Sequence, residues 1–477
     1  MIALGRGRMV RLLLTVAASL ALLAPATPVR AATFAFSDLQ TSSTFNKGID
    51  FSARLDASEA PRRVELQITF PAATGPFVID LADPGADGTA YQPAAGSQAL
   101  HYTLDTSGSG HIMPNTPISY RWVAYPQGGG EPVRSEATSY RYADETQQWQ
   151  TLRDGIVTVH WTRGSDAFAQ KAASIAVTAI STDATLLGIH ETTPVDFFIY
   201  GDDASFRAAL GPGARENVGG EAVTEIRTLF AELTPDVLND PWVGIVITHE
   251  LTHQVIDDAT SNPYRSLPRW LNEGVAVYQS ERDTSRYRGM VQDAAASGDL
   301  LPLTALGWQF PTDPQKTLLG YAESVSAVDH VVRTYGKDAL VKLILAYKDG
   351  PTDDEALTAA IGKNMADFQT EWYRAIGATP PSQFGPQPAT SGPLPSGWTG
   401  PAVTQGPAGS PAAAASSSPE AAATATAAPT ASPATAPASS AGSGSSTDLA
   451  LILIALIIVS GAALAGIVIA GRRAASP

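Results

Sequence analysis

The feature that most limits how this chain can fold is an apolar segment close to its C-terminal end. Residues 449–470 run for 22 positions without a charged side chain, and Arg472 and Arg473 follow almost at once. About 20 apolar residues span the hydrocarbon core of a bilayer as a helix, and flanking arginines favour the cytoplasmic side. We therefore expect a transmembrane helix at 449–470 and a short cytoplasmic tail at 471–477.

The N-terminal residues have the order of a secretory signal peptide. Three arginines within the first 11 residues precede an apolar stretch at 12–23, and small residues follow at Ala31 and Ala32. This is the pattern of an export signal, and about a dozen apolar residues are too few to span a bilayer. We assign 1–31 to a signal peptide; an uncleaved membrane anchor is the alternative.

A tract of low complexity separates the folded part from the apolar segment. Residues 379–447 consist mainly of Pro, Ala, Ser, Thr and Gly, with almost no large apolar side chains. Such a composition buries too little surface to offset the entropy lost on ordering, so it predicts a disordered stalk. Together these segments predict a single-pass protein of the cell membrane with an extracellular N-terminal part.

Charge and cysteine content exclude several function classes. The formal net charge is −15 and the sequence contains no cysteine. Binding to nucleic acid requires a basic face, so no nucleic-acid partner is expected. Without thiols the chain has no disulfides, thiolate zinc sites or cysteine nucleophiles, and any metal must be held by His, Asp or Glu. The oligomeric state is unknown from the sequence.

Residues 33–146 consist of short alternating segments separated by turn clusters. Examples are 51–55, 64–68 and 120–124, with a turn cluster rich in Pro, Gly and Asp at 83–88. Short strands with regular turn signals predict an all-β sandwich of immunoglobulin-like type. No residue of this part has the pattern of a catalytic group.

The pattern changes in residues 150–378. A strand is expected at 155–161, a helix at 166–187 and another strand at 195–200, after which helical patterns dominate to about residue 376. Early strands followed by helices predict an α+β domain.

One of these helices carries residue types that bind metals. Asp240 and Pro241 form a helix-start signal, and the helix is expected to run to about Asp257. Within it lies His249-Glu250-Leu251-Thr252-His253, and histidines four positions apart project from one helix face, where they can share a metal. Two histidines packed in a buried helix are the alternative. The helix is otherwise apolar, so an unliganded cluster would be costly to bury.

A second helix is expected to begin at 267–268 and to contain Trp270-Leu271-Asn272-Glu273-Gly274. Nineteen residues separate His253 from Glu273, which suffices for a loop and a return to the first helix. Gly274 should let the two helices approach closely.

The two segments resemble the paired motif of the gluzincin metallopeptidases, the thermolysin-like and aminopeptidase-like superfamily, and most closely its peptidase-MA-like domains. A weaker likeness extends over roughly 150–375. The resemblance implies a zincin-like fold in which His249, His253 and Glu273 bind one zinc ion and Glu250 is the general base. Tyr321 lies in a helix start similar to the segment where related enzymes carry a tyrosine, which implies a donor to the oxyanion; a tyrosine packed in the core is the alternative.

The chemistry of these residue types agrees with the resemblance. Two neutral imidazoles and one carboxylate leave a fourth zinc position for water, as in catalytic sites. Zinc lowers the pKa of that water from about 16 toward 7, and Glu250 can take its proton and pass it to a leaving amine. We therefore expect hydrolysis of a peptide or protein substrate. The rival interpretation is a surface binding protein whose metallopeptidase-like domain is inactive.

Other residues have weaker or contrary signals. Asp257 is either a partner of a zinc-bound imidazole or part of a solvated helix end, and His330 is a second candidate for transition-state stabilisation. Val277 stands where thermolysin-like enzymes place an acidic residue. No Gly-x-Met-Glu-Asn segment, with which aminopeptidases of this superfamily hold a free N-terminus, precedes the motif. Both departures argue against close kinship with those two groups.

Overall fold

The computed structural model describes residues 32–83, 90–212, 219–262, 266–281 and 283–380. The predicted signal peptide, the predicted transmembrane helix and nearly all of the predicted stalk lie outside these residues. Within the described ranges, no helix combines the length and the apolar character needed to cross a membrane.

The N-terminal part is built from antiparallel β-sheets. Its strands are β1 (Phe34–Thr44), β2 (Gly48–Ala57), β3 (Arg63–Thr69), β4 (Phe77–Asp80), β5 (Gly96–Asp105), β6 (Pro117–Tyr125), β7 (Val133–Arg134) and β8 (Thr138–Arg141). One sheet has the order β1-β2-β5, and the other has the order β4-β3-β6-β7 with β8 also paired to β6. The strand segments expected from sequence alternation lie inside β2, β3 and β6.

The two sheets share one apolar core. In β2, the alternate residues Phe51, Ala53 and Leu55 are buried, as the period of two in a strand requires. The ring of Phe51 meets the ring of Tyr120 from the opposite sheet edge-on, with 4.9 Å between ring centroids. The observed architecture is thus a multi-sheet β domain, and the domain that carries the helices follows it.

A mixed sheet begins the second part. Its strands are β9 (Gln150–Asp154), β10 (Val157–Trp161), β11 (Val195–Tyr200), β12 (Gly220–Val223) and β13 (Thr228–Glu232), in the order β12-β13-β11-β10-β9. The three central strands are parallel, and both edge strands run antiparallel to their neighbours. The strand expected from residue 155 begins at Val157, because Gly155, with φ of +57°, forms the turn from β9.

Strands β12 and β13 were not expected from the sequence. Four of the five residues of β13 are buried, so the strand shows no alternation of apolar and polar residues. β12 has only four residues, and three of them are buried. β12 forms the free edge of the sheet and lies beside Glu250 of α3, for which the edge provides a hydrogen-bond donor.

Nine helices of the described residues complete the second part. They are α1 (Asp166–Leu187), α2 (Asp203–Leu210), α3 (Pro241–Thr260), α4 (Arg269–Ser280), α5 (Ser285–Ser297), α6 (Pro314–Tyr335), α7 (Lys337–Ala346), α8 (Asp353–Ile361) and α9 (Met365–Ala375). The expected helix at 166–187 coincides with α1, which connects the parallel strands β10 and β11 and packs against α3. α3 begins where Asp240 and Pro241 predict, and it ends at Thr260, three residues beyond the expected end.

Gly274 permits a close helix contact, but with a different partner from the one expected. A Cβ atom at this position would lie 2.6 Å from the carbonyl oxygen of Ser324, which belongs to α6. The atoms nearest to Gly274 thus belong to α6, while α4 as a whole also packs against α3. The glycine brings α6, the helix of Tyr321, against the helix of Glu273.

We expect Gly274→Ala to lower the free energy of unfolding by about 1–3 kcal/mol, because the new methyl group collides with backbone that cannot easily move. Gly244→Ala is the matched control, since Gly244 lies on α3 and a Cβ there meets nothing within 4 Å. The control should be neutral or stabilising by up to about 1 kcal/mol. Denaturant unfolding of both full-length variants measures the free energy of unfolding. Equal stability of Gly274→Ala and Gly244→Ala would contradict the tight packing of α4 on α6.

Candidate metal centre

Helices α3 and α4 bring three metal-ligating side chains to one point. The Nε2 atoms of His249 and His253 are 3.2 Å apart. Oε2 of Glu273 lies 3.3 Å from Nε2 of His249 and 3.5 Å from Nε2 of His253. All three residues are buried, and His253 is the most exposed of them at 8%. Among the described residues this is the one group of three such side chains close enough to hold a metal ion.

The spacing of the three atoms fits a small tetrahedral ion. With zinc–ligand bonds of about 2.0–2.1 Å, neighbouring ligands of a tetrahedral site are about 3.3–3.4 Å apart. The observed separations span 3.2 to 3.5 Å. Two imidazole nitrogens and one carboxylate oxygen are also the donor types that zinc accepts. The residues present therefore fit a metal ion without rearrangement.

The electrostatics of the site are those of a buried, charged cluster. Burial lowers the pKa of His249 to about 4. Burial also disfavours the charged form of His253, but the carboxylate of Glu273 outweighs this and raises the pKa to about 9. Although burial opposes its charged form, Arg269 and the two imidazoles hold the pKa of Glu273 well below its usual range. A bound metal requires both imidazoles to be neutral, so acid will weaken metal binding.

Glu250 lies beside these three side chains and is held by the edge strand of the sheet. Its Oε2 accepts a hydrogen bond of 3.0 Å from the backbone N–H of Ala222 in β12. A Cβ at Gly220 would lie 2.9 Å from Val246 and 3.6 Å from Cγ of Glu250, so the absence of a side chain lets β12 approach α3. Burial raises the pKa of the Glu250 carboxyl to about 8.

Tyr321 reaches the same region from α6. Its ring centroid is 6.5 Å from that of His249, and its ring meets Phe310 edge-on at 5.0 Å. The guanidinium of Arg269 lies beside its hydroxyl group. Burial, with Glu273 nearby, raises the pKa of Tyr321 well above its usual range, so the phenol stays protonated. The structure thus brings together all five residues that the sequence singled out, Tyr321 included.

Two weaker candidates lie elsewhere. Nδ1 of His253 faces Oδ1 of Asn272 at 3.0 Å, and Asp257 instead contacts the Thr224 side chain. The interpretation of Asp257 as the imidazole's partner was therefore wrong. His330 pairs with Glu371 at 3.0 Å, so it is engaged on α6 away from the ligands.

Sequence reasoning missed three contributors to the site. Asn272 stands directly before Glu273 in the sequence, and that position was the available signal. Arg269, one helical turn before Glu273, could have been found from the same spacing. The backbone N–H of Ala222 left no signal, because β12 itself was not recognised. Nδ1 of His249 has no hydrogen-bond partner among the described residues.

Asn272→Ala should weaken zinc binding by about 10-fold to 100-fold, because the group that orients the His253 ring is lost. Asn272→Asp is the matched variant: its carboxylate still accepts from Nδ1, so affinity should stay close to that of the unchanged chain. Chelator competition on the full-length variants measures both constants. If the two variants bind zinc equally weakly, the contact of Asn272 with His253 does not orient the ligand.

Comparisons with known proteins agree with this geometry. Residues 175–378 match the family model described as the Peptidase MA superfamily. No curated protein matches the sequence. The match covers α3, α4 and α6, and therefore all of the side chains described above.

Three solved structures resemble the chain in part. An aminopeptidase N family protein from Idiomarina loihiensis has a TM-score of 0.40 at 12% identity, covering 71% of this chain and 76% of that chain. Native yeast LTA4 hydrolase has a TM-score of 0.33 at 14% identity, with coverage of 78% and 73%. An M1 zinc metallopeptidase from Deinococcus radiodurans has a TM-score of 0.31 at 13% identity, with coverage of 75% and 95%. Over residues 175–378 the chain is therefore similar to the Peptidase MA superfamily, in agreement with the resemblance to peptidase-MA-like domains of gluzincin type.

Proposed function

We propose that the chain is a membrane-anchored, extracellular zinc metallopeptidase that hydrolyses peptide bonds. The observation that carries the proposal is the convergence of two imidazole nitrogens and a carboxylate oxygen, 3.2 to 3.5 Å apart, beside a buried glutamate. His249, His253 and Glu273 would hold the zinc ion. Zinc at that position supplies a Lewis acid that polarises a carbonyl group and makes water more acidic.

Glu250 has the properties of the general base. The Ala222 N–H fixes its carboxylate, so the group loses little freedom on reaction. Burial gives the carboxyl a pKa of about 8, far closer to neutrality than that of an exposed glutamate. In its ionised form the carboxylate can take up a proton from water and return it to a leaving amine.

Tyr321 supplies a donor for the oxygen that becomes negative during peptide hydrolysis. Its phenol keeps its proton because its pKa is raised, and its ring lies against the ring of the ligand His249. A protonated hydroxyl in a dry site stabilises developing negative charge more strongly than it does in water.

The location follows from segments outside the described residues. An export signal at 1–31 and a transmembrane helix at 449–470 would put residues 33–378 on the outer face of the cell membrane, with the stalk at 379–447 between them and the bilayer. In this arrangement the immunoglobulin-like β domain positions the catalytic domain or recruits its substrate.

A chain lacking residues 449–477 should leave the membrane fraction and appear in the medium, because the remaining apolar segment is cleaved on export. Fractionation of cells that produce the full-length and truncated chains measures this. Equal amounts of both chains in the membrane fraction would contradict anchoring by the C-terminal segment.

An inactive surface binding protein is the alternative. Such a protein needs no general base, yet Glu250 is present and is fixed by a backbone hydrogen bond. The enzyme is therefore the better supported function.

Glu250→Gln tests the proposal directly. The variant should keep its zinc and its fold, because Glu250 is not a ligand, while peptide hydrolysis falls about 100-fold or more. Glu371→Gln is the control, since that carboxylate pairs with His330 and should leave activity unchanged. Zinc content and turnover of a mixed peptide library, with and without chelator, are measured on the full-length chain in detergent.

Each contrary result has its own meaning. Undiminished turnover by Glu250→Gln would remove the base from the mechanism. An unchanged chain that holds zinc but hydrolyses no peptide would favour the binding protein, and a chain without zinc would refute the metal centre.

A further inference from the structure

Arg269 is a largely buried cation next to the candidate metal site, and the proposed function gives it no role. Its side chain is 11% exposed, and its Nη2 lies 3.0 Å from Oε1 of Glu273, one turn further along α4. The guanidinium lies over the ring of Phe310, 5.1 Å from the centroid. Desolvating a charge in this way is costly unless a partner compensates it, and Glu273 is such a partner.

The two carboxylate oxygens of Glu273 have different surroundings. Oε1 faces the Arg269 guanidinium, whereas Oε2 faces the Nε2 atoms of both histidines at 3.3 and 3.5 Å. A carboxylate can give a metal either one oxygen or two. A charge-assisted contact to Arg269 draws Oε1 away from the histidines, so a single oxygen of Glu273 is directed at them.

The helix itself dictates this division. Residues four apart lie on one helix face, so Arg269 approaches the Glu273 carboxylate from the N-terminal side of α4. The backbone N–H of Arg269 donates to the carbonyl of Gly307 at 2.8 Å, which fixes the first turn of the helix. The guanidinium also lies near the hydroxyl of Tyr321, so one side chain faces two groups of the site.

We propose that Arg269 is a positioning residue that keeps Glu273 a one-oxygen ligand and thereby preserves an open position on the metal. This inference rests on the proposed metal centre and deepens it. A merely structural role, in which Arg269 only neutralises a buried carboxylate, predicts a loss of stability in its variants with no change in coordination.

Cobalt(II) bound in place of zinc distinguishes the positioning role of Arg269 from a purely structural role, and the measurement does not depend on activity. Its visible absorption is several times stronger in four-coordinate than in five-coordinate or six-coordinate sites, so the band intensity reads the number of ligands. The full-length chain is freed of metal, loaded with cobalt and compared with Arg269→Met and Arg269→Lys. Arg286→Met is the matched control, because Arg286 also pairs with a glutamate, Glu281 at 2.9 Å, and lies over an aromatic ring.

We expect an intense band from the unchanged chain and from Arg286→Met. In Arg269→Met the freed Oε1 can join the metal, so molar absorption should fall about two-fold or more. Arg269→Lys keeps a cationic donor and should recover most of the intensity. If Arg269→Met does not fold, Arg269→Gln replaces it as the neutral variant, with the same expected loss.

A folded neutral variant with the full band intensity would overturn the inference. That outcome differs from failure of the proposed function, in which the unchanged chain itself binds no cobalt.

Discussion

The burial of the Glu273 carboxylate is the interaction on which the rest of the site depends. A charged group at 2% exposure requires compensating partners, and Arg269 and the imidazoles of His249 and His253 are in reach of it. For Glu273 to reach the imidazoles, α4 must return across α3, so that His253 and Glu273, 20 positions apart in sequence, meet. Gly274, directly after the carboxylate, then admits α6 to within backbone contact. The placement of Tyr321 follows from that contact.

The mixed sheet performs a second task. α3 presents its histidines on one face, but the glutamate between them needs a separate support, because neighbouring helix positions point in different directions. The edge strand β12 provides that support through one backbone N–H, and Gly220 allows the close approach. Glu250 is thus held by the sheet, while His249, His253 and Glu273 are held by helices. A change in β12 should therefore disturb the position of Glu250 and spare the other three side chains, and a change in α4 should do the reverse.

The helices and the metal-ligating residues were predictable from local signals. The start of α3 follows from Asp240 and Pro241, and the ligand pair follows from a spacing of four on a helix. The short strands β12 and β13 were not, because burial on both faces removes the alternation by which a strand is recognised. Contacts that depend on tertiary packing were also not predicted. The contact of Gly274 with α6, and the contact of His253 with Asn272 and not with Asp257, depend on how the helices cross. A single sequence carries no direct record of such crossings.

The central claim is that two imidazoles and one carboxylate from α3 and α4 hold a zinc ion. Zinc-edge X-ray absorption of the purified full-length chain tests it most directly, because the fine structure reports the number and type of ligands. The account predicts one zinc per chain, with two imidazole nitrogens at about 2.0–2.1 Å and light-atom ligands completing a four-coordinate shell. A spectrum without imidazole scattering, or with six oxygen ligands, would contradict it.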